Sequence, residues 1–354
     1  MRKSSILCLG LSLVLSLTAC SNTNTNESQP LKEGDYAAIL PYETSTTRVK
    51  HVGLFNDLDF RLQIETGLMN LSKDYFDPNE VGYKTHQYLT YDELDATNGS
   101  RGLLGTLRDD NPNGLNPTTG EEFDTGNGIA IGPVLLMDAY ELDFYSKDKL
   151  KGISVSLVMN SYAEVDGENV DITNKQMKSY VEVTCNKMVN FMRSRYNDIG
   201  NKIPIYIAIF TVDKKGFGAY AYDTFYQGYA GKCQELQQQY FDLPTSAARE
   251  YDEELYNTFV NYREKVSNVL PDSAYVTAEI MYQNKALARM EIHITATGKT
   301  AGELLAVSQA AREYLSMFDR TDCRYLVRIE TGGETFTLIE RDPGTTKTNV
   351  ISTL

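Results

Sequence analysis

Apolar residues recur at steps of three and four in two stretches near the C-terminal end of the chain. Leu255, Phe259, Tyr262, Val266 and Val269 form one helical stripe, closed by Pro271-Asp272-Ser273. Leu304, Ser308, Ala311, Leu315 and Phe318 form another. Between them lie Tyr275 to Tyr282, rich in β-formers, and a strand in which Met290, Ile292 and Ile294 alternate with Glu291, His293 and Thr295. Beyond the second helix, Tyr325 to Ile329 and Thr335 to Ile339 flank Gly332-Gly333 as a hairpin. The predicted order is α-β-β-α-β-β.

The first half reads similarly. Ile64, Leu68, Leu71 and Tyr75 predict a helix that stops at Asp77-Pro78, although Leu58, Phe60, Leu62 and Ile64 also alternate as a strand would. Strands are expected at Gln87 to Tyr91 and Val134 to Phe144, with Ile153, Val155 and Leu157 alternating after Gly152. Val181, Cys185, Met188 and Met192 line a helix, and strands follow at Ile203 to Phe210 and Ala219 to Phe225. The helices ending FMRSRYNDIG and YLSMFDRTDC each precede an apolar strand, IPIYIAIF and RYLVRIE. The expected fold is α+β, with two tandem α-β-β-α-β-β type repeats over residues 46–232 and 233–342 and a tail over 343–354. The first repeat is enlarged by a Gly/Asn/Pro-rich insertion, 92–132, in which neither helix nor regular strand is expected.

The N-terminus follows a different pattern. Arg2 and Lys3 precede an apolar-to-small run from Ile6 to Ala19, which is shorter than the roughly 20 residues that span a bilayer. Leu17-Thr18-Ala19-Cys20 has the form of a lipobox, which makes 1–19 a signal peptide and Cys20 the acylated first residue of the mature protein. Two or more acyl chains anchor stably, so the diacylglycerol and fatty acyl groups on Cys20 imply the outer face of the membrane. Residues 20–45 are the lipidated Cys and a flexible tether, polar through 21–35. The 354 residues carry 34 Lys and Arg against 48 Asp and Glu, a net charge of −14. That balance excludes nucleic acid as a partner and leaves the membrane, reached through lipid, and a cell-wall or extracellular ligand.

Candidate chemistry is sparse. Without Cys8 and Cys20 the folded part keeps Cys185, Cys233 and Cys323, an odd number with no C-x-x-C. His51, His86 and His293 stand far apart in sequence. Asp109, Asn111, Asn113 and Gly114 match the opening of a calcium loop, but Gly120 stands where the bidentate Glu belongs. Ser146 to Lys149 satisfies S-x-x-K without its partner motifs. The acid pairs Glu121/Glu122 and Glu253/Glu254 are adjacent in sequence, whereas glycosidases place their carboxylates across a cleft. No catalytic residue and no cofactor beyond the acyl groups is expected, with calcium the weak alternative. The expectation is a protein without enzymatic activity, and a wall hydrolase ranks third behind an extracellular binding module for glycan or peptide.

The lipobox, ETGLMNLSKDYFDP, SRGLLGT, NPNGLNP and the downstream α+β units together resemble the CamS family of lipoproteins from Gram-positive bacteria. The resemblance runs from the lipobox to about Asp342, and it implies a two-repeat α+β fold. It also implies a pheromone precursor, in which the short apolar peptide before the lipidated Cys is the signal. The matching stretch here is Leu13-Val14-Leu15-Ser16-Leu17-Thr18-Ala19, which lacks the aromatic residue of the known pheromone and is more polar at Ser16 and Thr18.

Overall fold

The computed structural model describes residues 28–31, 33–53, 58–214, 216, 218–271, 273–298 and 300–353. Cys20, the lipobox and the stretch Leu13 to Ala19 lie outside the described residues. Two mixed sheets organise the rest. The first has seven strands in the spatial order β1 (Ala37–Ala38), β2 (Gly82–Thr85), β5 (Leu136–Ser146), β6 (Lys149–Asn160), β9 (Ile205–Val212), β10 (Gly218–Tyr226) and β11 (Gln234–Glu235). The second has six, β12 (Gln238–Leu243), β13 (Ala274–Gln283), β14 (Ala286–Ala296), β15 (Arg324–Thr331), β16 (Glu334–Arg341) and β17 (Asn349–Ser352), in sequence order.

The four central strands pair in the same way in the two sheets. β5–β6 and β9–β10 are antiparallel hairpins, joined by the parallel pair β6–β9. β13–β14 and β15–β16 are likewise hairpins, joined by the parallel pair β14–β15. Each parallel pair needs a crossover, supplied by α4 (Asn174–Arg195) in the first and α7 (Ala301–Tyr314) in the second. The chain changes sheets at Leu236-Gln237: the Leu236 N–H donates to Ala221 O at 2.8 Å, and Gln237 O accepts from the Asn284 N–H at 2.8 Å.

The order of elements hides a difference in layers. In the second half the short α5 (Ser246–Tyr251) leads into α6 (Glu253–Ser267), and α6 and α7 share one face, with Phe259, Tyr262, Val307 and Ala311 in a common core with Ile292 and Val327. In the first half the leading helix α2 (Leu58–Ser72) lies across the sheet from α4. Ile153, Val155 and Leu157 of β6 join the core on the α4 side, and Val158 joins Ile64 and Leu68 of α2 on the other. Ser154 and Ser156 share the α2 side and are fully buried. Ser72 Oγ donates to Ser154 Oγ at 2.7 Å, and Tyr220 OH donates to Ile64 O at 2.6 Å, 3.0 Å from Ser156 Oγ. A strand buried on both faces does not show an apolar–polar alternation that reports solvent, so the sequence did not reveal the second layer.

Two local expectations are corrected. Residues 87–90 form no strand; β2 ends at Thr85, and Tyr91–Asp95 is a short helix, α3. The backbone N–H groups of Gln87, Tyr88 and Leu89 go to carboxylates of β5 instead of a neighbouring strand. The insertion also contains a regular hairpin, β3 (Glu122–Asp124) with β4 (Ile129–Ile131). Asn116 fixes the insertion to β5: its Nδ2 donates to Leu104 O and Leu136 O (2.8 and 3.0 Å), and its Oδ1 accepts from the Leu135 and Leu136 N–H groups (2.9 and 2.7 Å). Leu103 and Leu115 then reach the core on the α4 side. A second small hairpin, β7 (Tyr162–Val165) with β8 (Glu168–Asp171), leads into α4.

The two-sided burial of β6 has a testable consequence. A Cβ at Gly152 would overlap the Phe76 ring, whereas one at Gly120 would meet nothing. Gly152→Ala should therefore cost about 1–3 kcal/mol through overpacking, with Gly120→Ala close to neutral. Urea unfolding of the two variants checks the difference.

Candidate functional site

β5 carries three carboxylates into the interior: Asp138, Glu141 and Asp143 are all at or below 1% exposure. Buried carboxyls need partners, and each finds at least one in the segments packed against this strand, Asp143 through Oδ2 only. Glu141 accepts the Tyr88 and Leu89 N–H groups at 2.9 and 2.6 Å, and Asp143 accepts the Gln87 N–H at 3.0 Å. Burial raises both acids above the ordinary carboxylate range, Asp143 the more strongly because Glu141 adds its own charge.

Asp138 organises the other side. The short helix α1 (Thr46–His51), capped by Ser45 Oγ on the Arg48 N–H, presents Arg48 and His51 to it. Arg48 binds Asp138 through both Nη atoms at 2.7 Å, donates to Ala139 O at 2.9 Å and stacks its guanidinium 3.9 Å from the Tyr140 ring centre. His51 lies 2.9 Å from Asp138 through Nδ1 and 2.5 Å from Asp95 through Nε2. Hydrogen bonds to Asp138 and Asp95 raise the His51 pKa to about 9. Burial alone would raise Asp138, but the bonds from Arg48 and His51 outweigh it and hold the carboxyl below its usual range. His86 is different: its Nε2 accepts from the Glu141 N–H and its Nδ1 donates to Leu89 O. Burial pushes it down to about 3, so this ring is neutral.

Above this charged layer opens a cleft of about 520 Å³, within the size range of small-ligand sites. Tyr42, Val49 and Val52 form its exposed rim; Leu68, Tyr140 and Leu142 are buried in its floor. Glu65 of α2 also lines the cleft. Burial raises its carboxyl pKa, with Arg48 and Arg61 opposing. A second cavity of about 480 Å³ lies beyond α7 against the C-terminal segment. Its buried Arg341 is engaged internally, donating to Leu315 O, Phe318 O and Arg320 O.

Of the residues singled out in the sequence, His51 and His86 meet at this site, although they are 35 positions apart, and the others lie elsewhere. Asp109 is exposed, Asn111 Nδ2 donates to Gly102 O and Thr106 O, and Asn113 Nδ2 donates to Gly99 O; none lines either cavity. Among the described residues, no group of three or more His, Cys, Asp or Glu could hold a metal ion. Cys185, Cys233 and Cys323 are buried free thiols. Ser146 and Lys149 pair across the β5–β6 turn. Glu121, Glu122, Glu253 and Glu254 are exposed, while Asp252 caps α6 and binds Arg320 and Tyr282. Sequence reasoning missed Arg48, Glu65, Asp138 and Tyr140. Its one available signal was the stretch DAYELDFY, three acids in a strand otherwise apolar enough to be buried.

Fold and cleft together define an α+β protein of two mixed sheets with a small apolar cleft over a layer of paired charges. A family model described as CamS sex pheromone cAM373 precursor matches residues 42–347, and the chain belongs to the CamS family. The fold is similar to that of a sex pheromone precursor from Lactobacillus salivarius subsp. salivarius UCC118, at 22% identity and a TM-score of 0.77, over 93% of this chain and 98% of that one. It is also similar to the C-terminal domain of the sex pheromone staph-cAM373 precursor from Staphylococcus aureus, at 22% identity and a TM-score of 0.68, over 82% and 96%. No curated protein matches the chain. Among the described residues no helix is long and apolar enough to cross a membrane.

His51 makes stability depend on pH. Its folded pKa of about 9 exceeds its ordinary value near 6.5, so its contribution is complete below about pH 6.5 and disappears as pH rises through about 9. A shift of that size corresponds to at most about 3 kcal/mol, which solvent screening reduces, so the native chain should lose on the order of 1–2 kcal/mol across that window relative to His51→Gln. Denaturant unfolding at pH 6 and pH 9.5 measures it.

Proposed function

We propose that the chain is an extracytoplasmic lipoprotein, held on the outer membrane face by acyl groups on Cys20, whose folded body binds a small apolar ligand without covalent chemistry. The cleft beside α1 carries this reading. Its lining is predominantly apolar, and of its two carboxylates only Glu65 is open to a ligand, because both oxygens of Glu141 are spent on backbone N–H groups. Glycoside hydrolysis needs two carboxyl groups facing a sugar, so the arrangement supports binding over a wall hydrolase. Arg48 already covers a face of Tyr140, which favours an apolar peptide over a stacked glycan. The shared strand pairing of the two ββαββ units supports reading them as tandem copies.

CamS membership supports a second product, the peptide Leu13 to Ala19 released from the signal. Synthetic LVLSLTA should elicit a response from pheromone-responsive donor cells, and silence over a wide concentration range would remove this part. Palmitate label should vanish and the protein move to the medium in Cys20→Ala; label that persists would overturn the anchor.

A further inference from the structure

We propose that Glu65 is the specificity-determining group of the cleft and pairs with the primary ammonium of an apolar ligand. This rests on the reading of the cleft as a ligand site. The other charged groups lining the cleft are committed. Arg48 is held bidentately by Asp138, and Glu141 carries two backbone N–H groups. His51, just behind the wall, bridges Asp138 and Asp95. The Glu65 side chain alone makes no hydrogen bond or ion pair among the described residues, yet it is half-buried and lines the cleft.

The groups facing it come from five elements, buried Tyr220 of β10 among them. Arg48 reaches towards it from α1, Arg61 stands one turn earlier on α2, and Asp138 and Tyr140 face it from β5. Tyr83 of β2 is also within electrostatic reach. Neither arginine forms an ion pair with Glu65 among the described residues, and the Nη atoms of Arg48 are already bound to Asp138 and Ala139 O. An anionic ligand would meet a carboxylate of its own sign, and a neutral ligand would bury that carboxylate without a partner. A compact ammonium with three donors satisfies it, while the body of the ligand lies against Val49, Val52 and Leu68.

Hexylamine and N-hexylacetamide, titrated calorimetrically into the full chain at neutral pH, separate charge from apolar contact. Hexylamine should bind at least about tenfold more tightly, and Glu65→Gln should bring that ratio close to one while leaving acetamide affinity unchanged. Hexylamine affinity should also fall as pH drops and Glu65 takes up a proton. Equal affinities in the native chain, or a preference that survives Glu65→Gln, would overturn the ammonium assignment. Acetamide binding that Val49→Asp abolishes would then leave the cleft standing as an apolar site. Absence of binding by both probes would overturn the assignment and the cleft reading together.

Discussion

Asp138, Glu141 and Asp143 ride on one strand into an interior where an unpaired carboxylate costs several kcal/mol. That cost dictates the architecture around β5. Residues 87–89 cannot continue β2 because their N–H groups are drawn onto Glu141 and Asp143. The helix α1 is fixed where it is because Arg48 and His51 must reach Asp138, and Thr47 Oγ1 adds a bond to Leu89 O at 3.2 Å. The α3 helix joins through Asp95 on His51. Three short segments with little intrinsic tendency to order are thereby held by side-chain electrostatics, and the cleft is the space left above them.

The second half obeys a simpler constraint. Its helices cover one face of the sheet, and the other keeps charged side chains paired across strands, as in Arg324 with Glu340 at 2.6 Å and Arg328 with Glu291 at 3.5 Å. Alternation therefore survives along β13 and β14, where buried Val276, Ile280, Met290 and Ile292 are interleaved with less buried neighbours. The first sheet is covered on both faces, so its central strands lose that alternation and its apolar side chains divide between two cores.

This contrast explains what could be read from the sequence. The helices α6 and α7 and the four central strands of the second sheet are legible because each keeps one exposed face, and periodicity records exposure. α4 and β9 are legible as elements, but not the layer that α2 occupies, since Ser154 and Ser156 look polar while being fully buried. The site is less legible still. Arg48 and Asp138 are 90 positions apart, α1 spans six residues, and the acids of β5 resemble an exposed face unless their apolar neighbours are weighed with them. Conversely, Asp109, Asn111 and Asn113 resembled ligands because turn residues and calcium ligands draw on the same side chains. In the structure the two asparagine amides stabilise the loop itself.

The position of β1 ties the incoming chain to the edge of the cleft. The Ser28 N–H donates to Ala38 O at 2.8 Å, and the Ile39 N–H donates to Tyr83 O at 3.1 Å, so the incoming chain is fixed to the free side of β2. The same chain then turns into Tyr42, whose hydroxyl meets Thr85 Oγ1 at 3.1 Å on the cleft rim. Ser28 follows Cys20 by eight positions, a span of at most about 28 Å. An acylated Cys20 would therefore keep the rim of the cleft close to the membrane surface rather than presenting it far out in the wall. An apolar rim at that distance would suit ligands that partition towards the bilayer, and under the proposed pairing a single carboxylate behind the rim would supply the selectivity that apolar contact alone lacks.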